Sequence, residues 1–368
     1  MKLWMKWSSV LMSSSLLIGG AGAVQASDAP AAEAPAKQLE FARLPQVSLS
    51  FEGEPLPQKG LLVGGRTMVP VTFLRDAAGY PMTYDNRTFT YNVGNGVSQL
   101  NLATSEYGVV TSVNHFYMGG AYSDYNALNI QGRLYVPFSL LNDVLGFQGS
   151  YDAVNQSLLL EKRAVNPIRV TTGTLTRTTD DLEMLIRYPQ ITGLADGEVQ
   201  QRINEEFKRR ADAFAAEGTE RSANRNPELV PFPYSYNANF AVTYNQDGVL
   251  SVLVDQNTYT GGEDPVQREA LTFSLKDGRL LSLDDLLPQG SGGQEKLYAL
   301  LAQQIREDKG MNQQDLQANS LQFYISGAGL QLYFSDTGPD SFAKGIETYK
   351  VPFHELLPAG TDPFAAFR

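Results

Sequence analysis

The chain has 368 residues, 42% hydrophobic and 19% charged, enough for a sizeable core, for roughly two or three domains and against global disorder. Forty acidic residues against 29 basic ones leave a net charge of −11, which excludes nucleic acid as the main partner and favours a basic protein. No cysteine and two histidines exclude a thiol nucleophile, a disulfide, a zinc-thiolate site and a three-histidine metal centre.

Residues 1–26 read as a secretory signal peptide. Lys2 and Lys6 precede the apolar run Val10–Ile18, and Val24-Gln25-Ala26 is a small-x-small cleavage site. The run is shorter than the ~20 residues of a membrane span, so no transmembrane segment is expected in the mature chain. Residues 27–45, rich in alanine, proline and acid, read as an extended spacer.

An internal repeat follows. Gly65-Arg66-Thr67-Met68-Val69-Pro70 through Gly79 recurs as Gly132-Arg133-Leu134-Tyr135-Val136-Pro137 through Gly146, and Tyr84-Asp85 recurs as Tyr151-Asp152. Nine of the 21 positions from 65 to 85 are identical at this one offset, which makes the repeat a unit of structure. Each copy predicts a short strand, a helix opened by Pro70 or Pro137, and a left-handed glycine after the helix. Phe73, Leu74, Ala77 and Ala78, and Leu140, Leu141, Val144 and Leu145, form the apolar stripes of the two helices. Strand pairs follow around Tyr84–Tyr91 and Tyr151–Leu160.

The pattern Gly-Arg-x-x-Val-Pro…Gly…Tyr-Asp, duplicated, resembles the copper amine oxidase N-terminal, or stalk, domain over residues 46–162. In the oxidases this domain is an appendage. Their active site needs an Asn-Tyr-Asp/Glu tripeptide and three histidines, which this sequence lacks. The resemblance therefore implies an adhesive or wall-associated module and no amine oxidation.

A second unit begins near Val165. It predicts a strand over 168–175 and a helix over 198–217 with Val199, Ile203, Phe207, Ala211 and Phe214 buried. Hairpins are predicted across Asn245-Gln246-Asp247-Gly248 and across Lys276-Asp277-Gly278, followed by a helix over 293–308 and strands over 321–325 and 330–334. Thr258-Tyr259-Thr260-Gly261-Gly262, Phe273–Arg279, Leu283–Leu287, Phe323–Phe334 and Tyr349–Leu357 resemble the extracellular module of sigma-V anti-sigma factors and of some peptidoglycan deacetylases, over about 165–360. That resemblance implies binding of a protein or envelope component, lysozyme in the anti-sigma factor. Glu263-Asp264 stands where the family continues with Ala-His, and the loop after Phe334 differs as well, so lysozyme itself is not carried over.

The candidate contact surface is the Thr260–Pro265 turn with the Thr337–Gly345 loop. Its binding residues are Tyr259, Thr260, Gly261, Gly262, Glu263, Asp264 and Phe342. Glu263 and Asp264 read either as a plain turn or as a pair that binds a cation or attracts a basic partner; Phe342 reads as an apolar anchor or a core residue. Asp284-Asp285 reads as a cap, because two adjacent carboxylates do not flank a cleft as glycan hydrolysis requires. No phosphate loop, nucleophile elbow or His-Glu-x-x-His motif occurs, and no catalytic residue, cofactor or metal is assigned.

The sequence thus predicts an α+β protein: a duplicated β-helix-β stalk-like domain followed by a mixed antiparallel-sheet-plus-helices domain. The expected role is a non-catalytic, secreted or cell-wall protein that binds a basic exported protein, lysozyme-like or otherwise, or a peptidoglycan component. The alternatives are an envelope glycan hydrolase or deacetylase, or its accessory subunit, and a structural wall spacer.

Overall fold

A computed structural model describes residues 44–119, 123–262, 264, 266–288, 290–309, 321–334, 346 and 348–368, and every structural statement refers to these. The signal-peptide reading and nearly all of the spacer lie outside them.

Alternation builds the first strands. In β1 (Gln46–Phe51), Val47 and Leu49 are buried while Gln46 and Ser48 face water. β2 (Glu54–Val63) and β3 (Arg66–Pro70) continue as a meander, and α1 (Thr72–Asp76) buries Phe73 and Leu74. β4 (Met82–Asp85), β5 (Thr90–Val93), β6 (Leu100–Ser105), β7 (Gly108–Val113) and β8 (Phe116–Tyr117) pair in chain order as an antiparallel sheet. β9 (Leu128–Ile130), β10 (Arg133–Pro137), α2 (Phe138–Asp143), β11 (Phe147–Asp152) and β12 (Ser157–Lys162) complete this half. The other sheet of this half runs β11-β12-β1-β2-β3-β10-β9, with β1 parallel to β12 and Ser48 opposite Ser157.

The two related segments meet in this sheet, where β3 and β10 are antiparallel neighbours with Val69 opposite Val136. Pro70 and Pro137 do not open the helices as the sequence predicts. Pro70 faces Tyr135 and Pro137 faces Met68, and the helices start at Thr72 and Phe138. A residue before proline is pushed to extended backbone, which keeps Val69 and Val136 in the ladder. The Val71 N–H prolongs that pairing by donating to the Leu134 carbonyl at 2.9 Å. Gly79 and Gly146, with φ of 78° and 75°, reverse the chain after each helix.

The second half contains β13 (Arg169–Thr178), β14 (Leu182–Thr192), α3 (Gly197–Ala223), β15 (Tyr234–Gln246), β16 (Val249–Tyr259) and β17 (Gln267–Ser274), with the strands side by side in chain order. The sheet is not wholly antiparallel: β14 and β15 run parallel. A parallel pair needs a crossover, and α3 supplies it. All five stripe residues of α3 are buried, and Asp196 caps it by accepting from the N–H groups of Glu198 and Val199. The helix outruns the predicted end through Gly218, where an added Cβ would lie 2.8 Å from the Tyr236 ring. The close approach of that ring offsets glycine's poor helix propensity, about 1 kcal/mol.

Asp247 and Gly248, with φ of 53° and 74°, form a two-residue turn that joins β15 to β16, as the Asp-Gly pair predicts. The expected return strand at Arg279–Leu281 shrinks to a single bridge between Phe273 and Leu280. Beyond it come α4 (Leu283–Leu286) and α5 (Gly293–Lys309), then a smaller sheet of β18 (Leu321–Ser326), β19 (Gly329–Phe334) and β20 (Tyr349–Val351), and α6 (Phe353–Leu356). The result is a mixed α+β fold with several sheets and few helices.

The two halves share one compact unit, Gln38–Arg368. Ala241, Leu253, Tyr324 and Tyr333 of the second half join the core built on Phe73, Leu140 and Phe147. Polar groups stitch the seam. Asn114 Nδ2 donates to the Phe240 carbonyl at 3.0 Å. Lys350 Nζ stands 3.2 Å from Asp124 and 3.5 Å from the buried Asp143, which accepts from the Tyr125 hydroxyl at 2.9 Å. The Arg268 guanidinium lies 5.1 Å from the centre of the Phe116 ring and chelates Asp255 through two bonds of 2.7 Å.

Candidate functional site

The candidate residues that the structure describes gather at one end of the β13–β17 sheet. Tyr259 closes β16 opposite Ser235 and is 44% exposed. Across the same row Ser235 faces Glu183 on β14, so Tyr259 and Glu183 stand two strands apart, about 10 Å, on one sheet face.

The chain then turns. The Asp264 carboxylate accepts from the Thr260 N–H at 2.6 Å and from the Thr260 hydroxyl at 2.8 Å, which closes a loop of five residues. Arg221 Nη2 also donates to the Thr260 hydroxyl, at 3.1 Å, and ties the end of α3 to the turn. Gly261 has φ of 96°, and a Cβ there would stand 2.4 Å from Val230 Cγ2. Gly262 is open to solvent. The structure thus brings Tyr259, Thr260, Gly261, Gly262 and Asp264 together. Glu263, Phe342 and the rest of the Thr337–Gly345 loop lie outside the described residues.

What Gly261 packs against was not picked out by sequence. The loop after α3, Asn226-Pro227-Glu228-Leu229-Val230-Pro231-Phe232-Pro233, lies beside the turn. It exposes Leu229 at 79% and Phe232 at 52%. The three prolines announce an irregular segment, but nothing in the sequence says which of its apolar side chains face water.

Several other charged groups form ion pairs. Arg210 bridges Glu206 at 2.8 Å and Glu269 on β17, beside a groove of about 190 Å³ between β17 and β18. The neighbouring arginines hold the Glu206 carboxyl below its usual range, with Arg209 the largest cause. His115 sits with Asn114 in the β7–β8 turn, and burial, with Arg187 nearby, lowers its pKa. Among the described residues no group of three His, Cys, Asp or Glu side chains is placed to hold a metal ion, and no helix is long and apolar enough to cross a membrane.

Asp285 completes a capping box. Its carboxylate accepts from the Ser282 N–H at 2.7 Å and the Ser282 hydroxyl at 2.8 Å, while Ser282 accepts from the Asp285 N–H. Burial alone would raise its pKa; the Ser282 bonds and Arg279 more than offset this and hold it below the usual carboxylate range. A depressed folded pKa gives stability that is present above the ordinary value, ~3.9, and lost as pH falls through the lowered one. Asp285→Ala is therefore expected to cost about 1 kcal/mol at neutral pH. The difference from wild type should vanish in acid, which urea midpoints measured at both pH values will check.

Two family models match the sequence, one in each half. The copper amine oxidase N-terminal domain matches residues 50–160, from the end of β1 to within β12. Deacetylase PdaC matches residues 175–267, which hold the end of β13, all of β14, α3, β15 and β16, and the start of β17. The chain thus resembles a different family in each half. No curated protein matches it. Among solved structures, a DUF3298 family member from Bacteroides fragilis shares 17% identity at a TM-score of 0.41, over 56% of this chain and 98% of its own. A DUF3298 family protein from Pseudomonas aeruginosa PAO1 shares 14% identity at a TM-score of 0.38, over 52% of this chain and 93% of its own.

Proposed function

We propose that this is an exported cell-envelope protein that catalyses nothing and binds a macromolecule through its second half. On this reading a signal peptide is removed near Ala26, residues 46–162 are a stalk-like module of two β-helix-β copies, and residues 165–360 carry the interaction. The match of residues 175–267 to a deacetylase family, which the sequence relates to modules found beside peptidoglycan deacetylases, supports an envelope setting. The observation that carries the binding reading is the end of the β13–β17 sheet. There a turn closed by Asp264 and a neighbouring loop place Tyr259, Leu229 and Phe232 in water on a hydrogen-bonded scaffold. Loops fixed on a rigid sheet are where recognition concentrates.

The purified chain, immobilised, should retain either a defined exported protein or purified peptidoglycan sacculi from the culture. Retention of neither, or turnover of acetylated glycan by the chain alone, would remove the reading.

A further inference from the structure

The Asn226–Pro233 loop is built to be rigid. Its three prolines fix their own φ near −65°. The Asn226 carbonyl accepts from the N–H groups of Leu229 at 3.1 Å and Val230 at 3.0 Å, and its side chain accepts from the Glu228 N–H at 2.9 Å. Arg225 pins the loop from beneath. Its side chain is 6% exposed. Nη1 donates to the carbonyls of Val230 at 2.7 Å and Phe232 at 3.2 Å, while Nε and Nη2 hold the Asp181 carboxylate at 3.0 and 2.7 Å. Val230 then locks onto Gly261.

This bonding is spent on a segment that turns its largest apolar groups outward. Leu229 and Phe232 flank Val230, and Tyr259 stands two residues before the glycine that Val230 touches. Clustered exposed apolar groups on a fixed loop mark contact sites. The surroundings are acidic. Segments 177–183 and 217–228, together with Asp264, hold seven carboxylates against three arginines. Two of those arginines are already paired, Arg221 with Glu217 and Arg225 with Asp181.

We propose that Leu229, Phe232 and Tyr259 form the contact surface for a protein partner that presents apolar side chains interleaved with lysine and arginine. This rests on the binding reading above and names its surface and the partner's chemistry. The acidic surround steers the partner in, and the apolar trio packs against its apolar side chains. Because the loop is already ordered, little conformational entropy is lost on contact.

The test measures fluorescence anisotropy of the purified chain with a fluorescein-labelled peptide, Lys-Leu-Lys-Phe-Lys-Leu-Lys-Phe, at low salt. Two counterparts carry glutamine for every lysine, or serine for every leucine and phenylalanine. The first peptide should bind, and each counterpart should bind at least about tenfold more weakly. The double substitution Leu229→Ser with Phe232→Ser touches only exposed side chains, and it should weaken the first peptide by about tenfold or more. Tyr107→Ser, in the β6–β7 turn of the first half and 92% exposed, should leave binding unchanged. Equal binding by the double variant overturns this surface while the envelope-binding reading stands. Failure of the wild-type chain to bind the basic peptide overturns the basic partner, and retention on sacculi then decides the broader reading separately.

Discussion

Replacing Asp255 by alanine should destabilise the protein by about 3–5 kcal/mol, because it strands the Arg268 guanidinium in the core. Both side chains of the pair are nearly buried, at 14% and 9% exposure. Burial alone would lower the Arg268 pKa, yet the Asp255 carboxylate holds it above its ordinary value, so the arginine stays charged and needs its partner. Domains are stable by only about 5–15 kcal/mol, so this one change removes a large share. Paired replacement by apolar groups, Asp255→Leu with Arg268→Met, should recover most of the loss, since removing both charges also removes the cost of burying them. Urea unfolding of the three proteins checks this. A loss below 1 kcal/mol in Asp255→Ala would mean that water reaches the arginine.

Phe147→Ala should cost a similar amount, about 3–5 kcal/mol. Phe147 is fully buried, and its ring lies 5.6 Å from that of Phe73, 6.3 Å from that of Phe51 and 6.0 Å from that of Tyr80. It is the first residue of β11, the edge strand nearest α2, so its removal opens a cavity between helix and sheet that the surrounding ladder cannot close. Phe147→Leu, which keeps most of the volume, should cost less than half as much. The same unfolding measurement separates the two, and equal losses would show that the aromatic contacts rather than the volume matter here.

Local chemistry made much of the fold legible. Asp247-Gly248 gave the β15–β16 hairpin because only left-handed backbone closes a two-residue turn, and the stripe from Val199 to Phe214 gave α3 and its buried face. Features that depend on distant partners were not legible. Asn114 and Asn166 look like ordinary turn residues until their amides are seen reaching carbonyls 126 and 83 residues further along the chain. Asp255 and Arg268 sit on separate strands, and only the β16–β17 register places them face to face. The parallel β14–β15 pair stayed hidden because hydrophobic alternation does not reveal strand direction. At the site, glycine and aspartate marked the Thr260–Asp264 turn, whereas nothing in the sequence sets Arg225 apart from the other arginines of its region.

The pairing of β1 with β12 constrains the order in which the chain can assemble. Ser48 waits for Ser157, so the large sheet of the first half has no complete edge until nearly all of that half is available. Until then β1 can pair with β2 alone, as a hairpin with an open flank. Contacts this far apart in sequence close slowly. The Arg268–Phe116 and Lys350–Asp143 contacts come later still, since they need residues from deep in the second half. A chain delivered from its N-terminus would therefore hold β1 with one flank unpaired until β12 arrives, and the second half would afterwards add Ala241, Leu253, Tyr324 and Tyr333 to a core that the first half has already framed.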